Sequence, residues 1–399
     1  MNTNYNNFLY YVLLFTIICF IPVILNILFL YNAGENSGFD EIVRLQINNN
    51  AIYGTSLNQN TFLYKLDMVK IVKPVIIALG SSMVMQFREE SFLCSFVNCG
   101  GAMKNLKEGR LFIEKMLLFH KPKLIIVGID FWWFNQNIEQ SKDFSYHDNN
   151  GKTLTINKLI KPFAYIWEDK ITIKDYLNIL LNRRQENNIT KYYNIGLRAI
   201  KTAEGYRKDG SMLFSSILFG CNKGFADKNF KDTLGRIKEG TRKMEYGKNI
   251  STESIAEFYR IVKLCKDHNI DVIYIIPPLS YTAYNRMQSM VSEYSYVSKL
   301  RNYIKLSLKN YEFYDFQNIL DVGSDDCECI DGFHCGDVTY QKILLKICQN
   351  NPNSIIIKYL NIDLIKNTVI KYKGRALSLF NDNKFKLKEV DYLGIGCKK

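Results

Sequence analysis

Two short segments near opposite ends of the chain carry the residue types that nucleophilic catalysis needs. Residues 76–82 read IIALGSS, an apolar run that ends in a glycine and two serines. Residues 331–334 read DGFH and place a carboxylate and an imidazole three positions apart. An imidazole oriented by a carboxylate can take the proton of a serine hydroxyl, which then attacks an acyl carbon. We therefore predict Ser82 as the nucleophile, His334 as its base and Asp331 as the residue that orients the base.

Each segment taken alone also has a plain structural interpretation. Gly-Ser-Ser is typical of a strand-to-helix turn with a serine N-cap, and an isolated histidine is more often packed than catalytic. The pairing favours a catalytic site, because the other histidines lie in no comparable carboxylate turn. The order Ser, Asp, His fits no chymotrypsin-type arrangement, and Val84 stands where an α/β-hydrolase elbow needs its second glycine. The other histidines are His120, His147 and His268.

Apolar runs of strand length alternate with helical patterns in the region that contains both segments. This alternation predicts an α/β domain whose parallel sheet is covered on both faces. Active sites of such sheets lie at the carboxyl ends of the strands, where Ser82 would sit. A following helix would add its dipole to stabilise an alkoxide and an oxyanion. The predicted strands are 74–79, 124–128, 272–276 and 311–316, and the predicted helices are 103–120, 254–267, 287–308 and 338–348.

The N-terminal region predicts a membrane anchor. Residues 8–31 carry no charge, and 24 residues at ~1.5 Å each span a hydrocarbon core of ~30 Å. Residues 1–7 contain no Lys or Arg and no clear cleavage site follows, which favours an uncleaved helix over a signal peptide. Because no positive charge follows the span closely, we expect the rest of the chain outside the cytoplasm, in the periplasm or at the cell surface.

Composition sets the remaining limits on the class of protein. The chain has 399 residues, 47% of them hydrophobic, and a formal net charge of +13. The positive charge would suit an anionic partner, but it is spread along the chain and no nucleic-acid-binding module is recognisable, so no nucleic-acid partner is predicted. The predicted organisation is a tail at 1–7, the anchor at 8–31, a juxtamembrane linker at 32–69, a catalytic domain at 70–350 with an insertion at 136–249, and a basic extension at 351–399.

The cysteines and glycines indicate no cofactor. Ten cysteines are present, and Cys19 in the span leaves an odd number for the rest, so no disulfide framework is implied. Cys327, Cys329 and Cys335 cluster near the Asp-x-x-His turn, but their spacing lacks a zinc knuckle, so we interpret them as structural or incidental thiols. No phosphate-binding glycine loop is present. We predict neither a metal nor a nucleotide cofactor.

Four blocks together resemble those of the SGNH (GDSL-like) hydrolase superfamily. They are GSS at 80–82, FVNCGG at 96–101, VGID at 127–130 and DGFH at 331–334. The resemblance covers residues 70–350, and the GSS variant is common among membrane-anchored members that act on cell-envelope polymers. It implies a flavodoxin-like three-layer fold, in which Ser82 is both nucleophile and oxyanion donor. Gly100 or Gly101 would be a second donor, with His334 as base and Asp331 as its orienter.

The third block departs from the family pattern, because Asp130 stands where an Asn amide usually donates to the oxyanion. An ionised carboxylate cannot donate, and loss of one donor costs ~2.7–4 kcal/mol of transition-state stabilisation. Either Asp130 has another role, or Asn98 or Asn135 supplies the amide, or turnover is weak. The aromatic run at 131–134 belongs to the core or stacks on sugar rings.

These features lead to one main functional hypothesis and two alternatives. The main one is a membrane-anchored, extracytoplasmic esterase or O-acyltransferase, acting on the O-acetyl groups of a cell-envelope or surface polysaccharide. Its partners would be the glycan, an acyl donor and, from the resemblance, a membrane-bound acyltransferase. The alternatives are a lipid or thioester hydrolase at the membrane surface and a non-catalytic SGNH-fold component that binds a glycan or an acyltransferase.

Overall fold

The chain folds into two compact units. Met1–Asn60 and Asn149–Gly205 form one, here called the anchor unit, and Thr61–Asp148 and Tyr206–Lys399 form the other, the sheet unit. The predicted insertion is therefore divided between the two units. The structure, a computed structural model, describes residues 2–57, 60–138, 152, 154–182, 193–220, 227–379 and 387–399, so parts of the predicted insertion and extension lie outside the described residues.

The described elements have the following bounds. The strands are β1 Ile52–Tyr53, β2 Ile76–Gly80, β3 Phe96–Gly100, β4 Leu124–Gly128, β5 Asn194–Ile195, β6 Gly205–Tyr206, β7 Met212–Leu213, β8 Asp271–Ile276 and β9 Glu312–Asp315. The helices are α1 Asn2–Ala33, α2 Phe39–Asn49, α3 Thr61–Val72, α4 Leu106–Leu117, α5 Ile156–Trp167, α6 Ile173–Leu180, α7 Leu197–Thr202, α8 Ser215–Leu218, α9 Lys231–Glu239, α10 Thr252–Asp267, α11 Tyr281–Gln288, α12 Ser295–Ser307, α13 Asp337–Asn350 and α14 Ile362–Lys371.

A parallel sheet forms the centre of the sheet unit, with the strand order β3-β2-β4-β8-β9. Residues of β2 and β4 are buried throughout, as expected for strands covered on both faces. The predicted α/β class with a parallel sheet is confirmed, and each predicted strand is present within a few residues of its expected bounds. The strand β3 was not among those predicted, because its sequence FVNCG is short and carries a polar residue at its centre.

Helices cover the sheet largely where the apolar periodicity placed them. The pattern at 103–120 is α4, which begins after Asn105, whose side chain accepts from the N–H of Glu108 at 2.9 Å. The prediction of one helix at 287–308 is wrong, because the chain forms α11 and α12 with a break between them. Tyr294 fixes that break: its buried hydroxyl donates to the carbonyl oxygens of Ile237 and Met244.

The anchor unit contains the expected apolar helix. Within α1, the stretch Tyr5–Ala33 is long and apolar enough to cross a membrane, and most of it is exposed. Its last two turns are different, because Phe29, Leu30 and Ala33 are buried in a cluster with residues of α6 and α7. The N-terminal helix therefore combines a span-length apolar surface with an end that belongs to a folded core.

The region predicted as a linker, 32–69, contains ordered structure. Residues 39–49 form α2, and residues 61–72 form α3 in the sheet unit. Glu35 is buried in the anchor unit, where its carboxylate accepts hydrogen bonds from Thr55, Ser56, Leu57 and Leu197. Such a fully paired carboxylate ties together segments that are distant in sequence.

The extension at 351–399 is packed rather than free where it is described. Ile356, Leu360 and Ile365 contribute to the core of the sheet unit. Cys397 forms a disulfide with Cys327, which corrects the interpretation of Cys327 as an incidental thiol. The pairing was not readable from the sequence, because 70 residues separate the two cysteines and only the folded extension brings them together.

Candidate active site

Ser82 lies just beyond the carboxyl end of β2, an inner strand of the parallel sheet that lies between β3 and β4. The strand ends at Gly80, and a single 3₁₀ turn, Ser82–Val84, follows. Ser81 caps this turn, since its hydroxyl accepts from the N–H of Met83 at 3.1 Å. The expectation of an α-helix at this point is wrong. One turn is too short to supply the dipole of a full helix, so any oxyanion stabilisation must come from individual donors.

Two glycines allow the serine turn to sit tightly on the strand ends. A Cβ built on Gly128, the last residue of β4, would lie 2.4 Å from Cγ1 of Val84, and one on Gly80 would lie 3.0 Å from its Cγ2. Val84 is fully buried over this point. Val84, which excludes an α/β-hydrolase elbow, thus packs the turn that carries Ser82 against the ends of β2 and β4.

The two distant segments meet to form a Ser–His–Asp arrangement. His334 Nε2 lies 2.9 Å from the Ser82 hydroxyl oxygen. The other ring nitrogen, Nδ1, lies 2.9 Å from Oδ2 of Asp331. With the Nδ1 proton directed at the carboxylate, Nε2 is free to accept the serine proton. The structure brings together the three residues that the sequence pairs for catalysis.

Asp331 both orients the imidazole and shapes the turn. Its Oδ1 accepts from the backbone N–H groups of Phe333 at 2.8 Å and His334 at 2.6 Å. Burial by itself would raise the pKa of Asp331, but the His334 ring and these two N–H groups outweigh burial and hold the pKa below its usual range. The carboxylate is therefore ionised at neutral pH, as the orienting role requires.

Asp227 and Ser280 form hydrogen bonds to the backbone of Gly332 in the same turn, and neither residue was predicted from the sequence. Asp227 is buried and its Oδ2 accepts from the N–H of Gly332 at 2.8 Å and from the Thr233 hydroxyl at 2.7 Å. Ser280, the N-cap of α11, donates its hydroxyl to the carbonyl of Gly332 at 3.1 Å. No sequence motif marks these residues, because their role depends on contacts across the fold.

The backbone donors expected for the oxyanion are already in use. The N–H of Gly100 donates to the side chain of Asn98 at 2.7 Å, and that of Gly101 donates to the carbonyl of Gly80 at 2.9 Å. Asn98 is also committed, since its amide donates to the carbonyls of Val84 and Phe87. These residues support the serine turn instead of pointing free donors at it.

Asn135 is committed elsewhere as well. Its amide donates to the carbonyls of Glu245 and Tyr246, at 2.8 and 3.2 Å, and its oxygen accepts from the N–H of Asn137. The structure therefore gives Asn135 a structural role. Within the described part of the chain, the hydrogen bonds around the serine turn leave the N–H of Ser82 without a partner, so it can serve as an oxyanion donor.

Asp130 lies at the end of β4, beside Ser81, and has unusual surroundings. It is 1% exposed, and neither carboxyl oxygen has a hydrogen-bond partner among the described residues. Burial raises the pKa of Asp130 to about 7, against smaller opposing effects of the Ser81 hydroxyl and the Lys243 ammonium. The assumption that this group is simply ionised is therefore corrected, and a protonated carboxyl can donate a hydrogen bond.

The aromatic run Phe131–Phe134 is core. All four side chains are buried, which leaves no open face for stacking on a sugar ring. Trp132 packs against Phe333 at 4.9 Å between ring centroids, and Phe333 in turn contacts the His334 ring. Lys243 lies over both Trp132 and Phe333, at 5.3 and 5.8 Å. The aromatic run thus packs against the turn that carries His334, and the ammonium group of Lys243 lies beside the two aromatic rings.

The arrangement can perform acyl transfer through a serine ester. The side chains of His334 and Asp331 are 28% and 26% exposed and Ser82 is partly exposed, so a substrate can reach the hydroxyl from solvent. In the described residues, no group of three or more His, Cys, Asp or Glu side chains could hold a metal ion. Comparison of the chain with protein-family models and with curated proteins gives no match.

Proposed function

We propose that the protein is a membrane-anchored serine esterase or O-acyltransferase of the SGNH type that acts on O-acetyl groups of a cell-envelope or surface polysaccharide. The observation that carries the proposal is the hydrogen-bonded chain from Ser82 through His334 to Asp331, with contacts of 2.9 Å at both ends of the imidazole. Support for the SGNH type comes from the parallel sheet and from the position of Ser82 directly after its inner strand β2.

The proposed reaction has two steps. Ser82 attacks the acyl carbon while His334 takes its proton, and the donor alcohol leaves as His334 returns that proton. The resulting acyl-serine is attacked by a glycan hydroxyl or by water, with His334 again as base. The N–H of Ser82 and a protonated Asp130 would donate to the oxyanion in both steps.

Two features support a location outside the cytoplasm. The apolar stretch of α1 is long enough for a single-pass anchor, and the disulfide between Cys327 and Cys397 is of a kind that persists mainly in oxidising compartments. A membrane-bound acyltransferase would be the natural source of acyl groups for such an anchored domain. Its presence is tested by co-purification of the full chain from mild detergent.

The central experiment measures acyl-enzyme formation by the full chain in detergent. We expect a serine-reactive phosphonate to label Ser82, and 4-nitrophenyl acetate to be hydrolysed. Ser82→Ala and His334→Ala should abolish both signals, whereas the matched variants Ser289→Ala and His268→Ala, at exposed serine and histidine positions, should retain them. Labelling that survives Ser82→Ala would overturn the proposal. Faster turnover of long-chain esters than of acetates would indicate a lipid hydrolase instead.

A non-catalytic binding role is the second candidate, and one observation favours it. The N–H groups of Gly100 and Gly101, expected as oxyanion donors, are already hydrogen-bonded. If the full chain neither labels nor hydrolyses, but binds an acylated glycan equally well as wild type and as Ser82→Ala, the binding role replaces the catalytic one.

A further inference from the structure

Helix α5 carries an exposed apolar stripe. Ile156, Ile160, Phe163 and Trp167 recur at intervals of four, three and four residues, which places them on one side of the helix. All four are exposed, and Trp167 is exposed over 90% of its surface. Isolated apolar side chains on a surface are ordinary, but an aligned row with a terminal tryptophan indicates a partner.

Helix α6 extends this surface next to the membrane anchor. Ile173, Leu177 and Leu181 form a second exposed apolar row on α6 and the residue after it. The opposite sides of both helices pack on the end of α1. Asn26 of α1 donates to the carbonyl of Leu159 at 2.6 Å and accepts from the Tyr176 hydroxyl at 2.8 Å. We call α5 and α6 together the collar.

The length of α1 sets the position of the collar along the membrane normal. Its 32 residues extend about 48 Å at ~1.5 Å per residue, well beyond a hydrocarbon core of ~30 Å. The exposed apolar side chains of α1 continue to Leu28 and Tyr31, where the collar begins to cover the helix. A span that starts near the N-terminus therefore leaves the hydrocarbon where α5 and α6 pack on it.

We propose that the collar lies in the membrane interface, with its apolar rows inserted at the boundary between lipid headgroups and acyl chains. Interfacial helices combine Trp, Phe and Leu on one side with Lys on the other. Lys161 and Lys174 flank the apolar rows and can reach anionic headgroups, whereas Lys170 is paired with Glu168. The collar would fix the height and orientation of the anchor unit on the bilayer, in addition to the tether that α1 provides.

Trp167 allows a direct test, because the other two tryptophans, Trp132 and Trp133, are buried. The full chain is placed in nanodiscs whose lipids carry bromine near the headgroup or at the chain end. The fluorescence of Trp167 is obtained by subtracting the emission spectrum of Trp167→Phe from that of the wild-type chain. We expect the shallow bromines to remove most of this emission, deep bromines to remove less, and aqueous acrylamide to have little effect.

A matched variant moves the indole to the polar side of the same helix. Trp167→Phe combined with Asn157→Trp places it at an exposed position one residue beyond Ile156, ~100° around the helix, and should make it more sensitive to acrylamide and less to bromine. Strong acrylamide quenching of Trp167 without bromine quenching would overturn the proposal in favour of a water-exposed surface. Protection from both quenchers would also overturn it, since a protein partner would then cover the collar.

A separate observation concerns the two cysteines that bracket the catalytic turn. Cys329 and Cys335 are buried with their Sγ atoms 3.5 Å apart. They form an antiparallel bridge in which Ile330 donates to the carbonyl of His334 and Gly336 to that of Glu328. Cys329 and Cys335 are therefore a non-hydrogen-bonded pair of the antiparallel bridge. In such a pair the two side chains lie closer together than in a hydrogen-bonded pair. Both are free thiols in this structure, but directly opposed positions suit a disulfide, and the bond forms when the sulfurs close from 3.5 Å to ~2.05 Å.

We propose that Cys329 and Cys335 form a second disulfide, which closes the loop that carries Asp331 and His334. Each thiol loses its proton, the two sulfurs bond, and two electrons pass to a disulfide oxidant of the compartment, which is reduced to two thiols. Because both sulfurs are buried, the exchange takes place during folding. The bond would hold the base and its orienting carboxylate in one short covalent ring.

Peptide mapping tests this without any variant and independently of enzymatic activity. The full chain is unfolded without reductant in the presence of an alkylating agent, so that buried free thiols also react, and is then cut before aspartates, which separates residues 326–330, 331–336 and 391–399. We expect these three peptides to be found as one disulfide-linked species. Recovery of 331–336 alkylated at Cys335, with 326–330 linked only to 391–399, would overturn the proposal.

Discussion

In the proposed reaction, the carboxyl group of Asp130 is one of two candidate donors to the oxyanion. Ser82 offers its own N–H, while the glycine donors expected from the sequence are committed to other acceptors. A protonated Asp130 can donate, but an ionised one would repel the developing charge. Since burial raises the pKa of Asp130 to about 7, the proton is retained in the acidic range and lost as the pH rises through that value.

Asp130→Asn should therefore change the pH dependence of the esterase reaction. In wild type, kcat/KM should fall above pH ~7 as Asp130 ionises, whereas the Asn amide donates at every pH. We expect the variant to exceed wild type on the alkaline side, by up to the ~10²–10³-fold that one oxyanion donor supplies. The surface variant Asp232→Asn is the control, and an unchanged alkaline limb in Asp130→Asn would contradict the assignment.

At the level of the turns, Ser82 and the Asp331–His334 pair depend on contacts that extend beyond their own segments. Asp227 fixes the Asp-x-x-His turn through Gly332, and Gly128 leaves room for Val84 under the serine turn. Neither Asp227 nor Gly128 touches the reacting atoms. Both act by placing Ser82 and His334 within hydrogen-bonding distance, so their substitution should affect activity through geometry.

Asp227→Ala should lower kcat more than it changes KM. The N–H of Gly332 and the Thr233 hydroxyl would lose their acceptor, which costs ~1–3 kcal/mol of stability for buried groups. Asp227→Asn keeps an acceptor oxygen and should recover part of the rate. The neighbouring Asp232→Ala serves as control. Kinetics are measured at a temperature well below the Tm of the variant, so that a lower rate reports misplaced catalytic groups and not unfolded protein. Equal rates for Asp227→Ala and wild type would exclude the positioning role.

Gly128→Ala should disturb the serine turn directly. The new methyl group would lie 2.4 Å from Cγ1 of Val84, so the Ser82–Val84 turn must shift, and we expect slower phosphonate labelling together with a lower Tm. Gly235→Ala is a matched control in helix α9, where nothing lies within 4 Å of the added carbon. It should be neutral or stabilising by ~0.5–1 kcal/mol. Unchanged labelling in Gly128→Ala would show that the turn tolerates the shift.

For the molecule as a whole, the N-terminal helix combines an apolar stretch long enough to cross a membrane with an end that is part of a folded core. Phe29 and Leu30 are fully buried against residues of the anchor unit. Asn26 supplies hydrogen bonds to α5 and α6. Removing the helix would therefore remove structural contacts as well as the span-length apolar stretch.

Deletion of residues 1–31 should destabilise the anchor unit. Loss of Phe29 and Leu30 removes ~1.5–3 kcal/mol of burial for each side chain, and the collar would lose its support. Hydrogen exchange of the truncated and full chains in the same detergent should show faster exchange in α5 and α6, with the sheet strands little changed. Equal protection of α5 and α6 in both chains would mean that the contacts with α1 contribute little.

Much of the fold could be read from local patterns. The α/β class, the long apolar N-terminal helix and most strands follow from the pattern of apolar residues, which reflects burial directly. The break between α11 and α12 could not be read, because it depends on Tyr294 reaching carbonyl groups far along the chain. The same holds for the disulfide between Cys327 and Cys397, since pairing is set by where the extension packs.

Residue type and spacing are enough to identify Ser82, His334 and Asp331 as the groups that could react, because nucleophilic acyl transfer requires those side chains. How each polar group is used depends on the folded chain. It committed Asn98, Asn135 and both glycine donors to other partners, and it buried Asp130. Hydrogen-bond partners and burial depend on segments distant in the chain, and both set the charge and direction of a polar group.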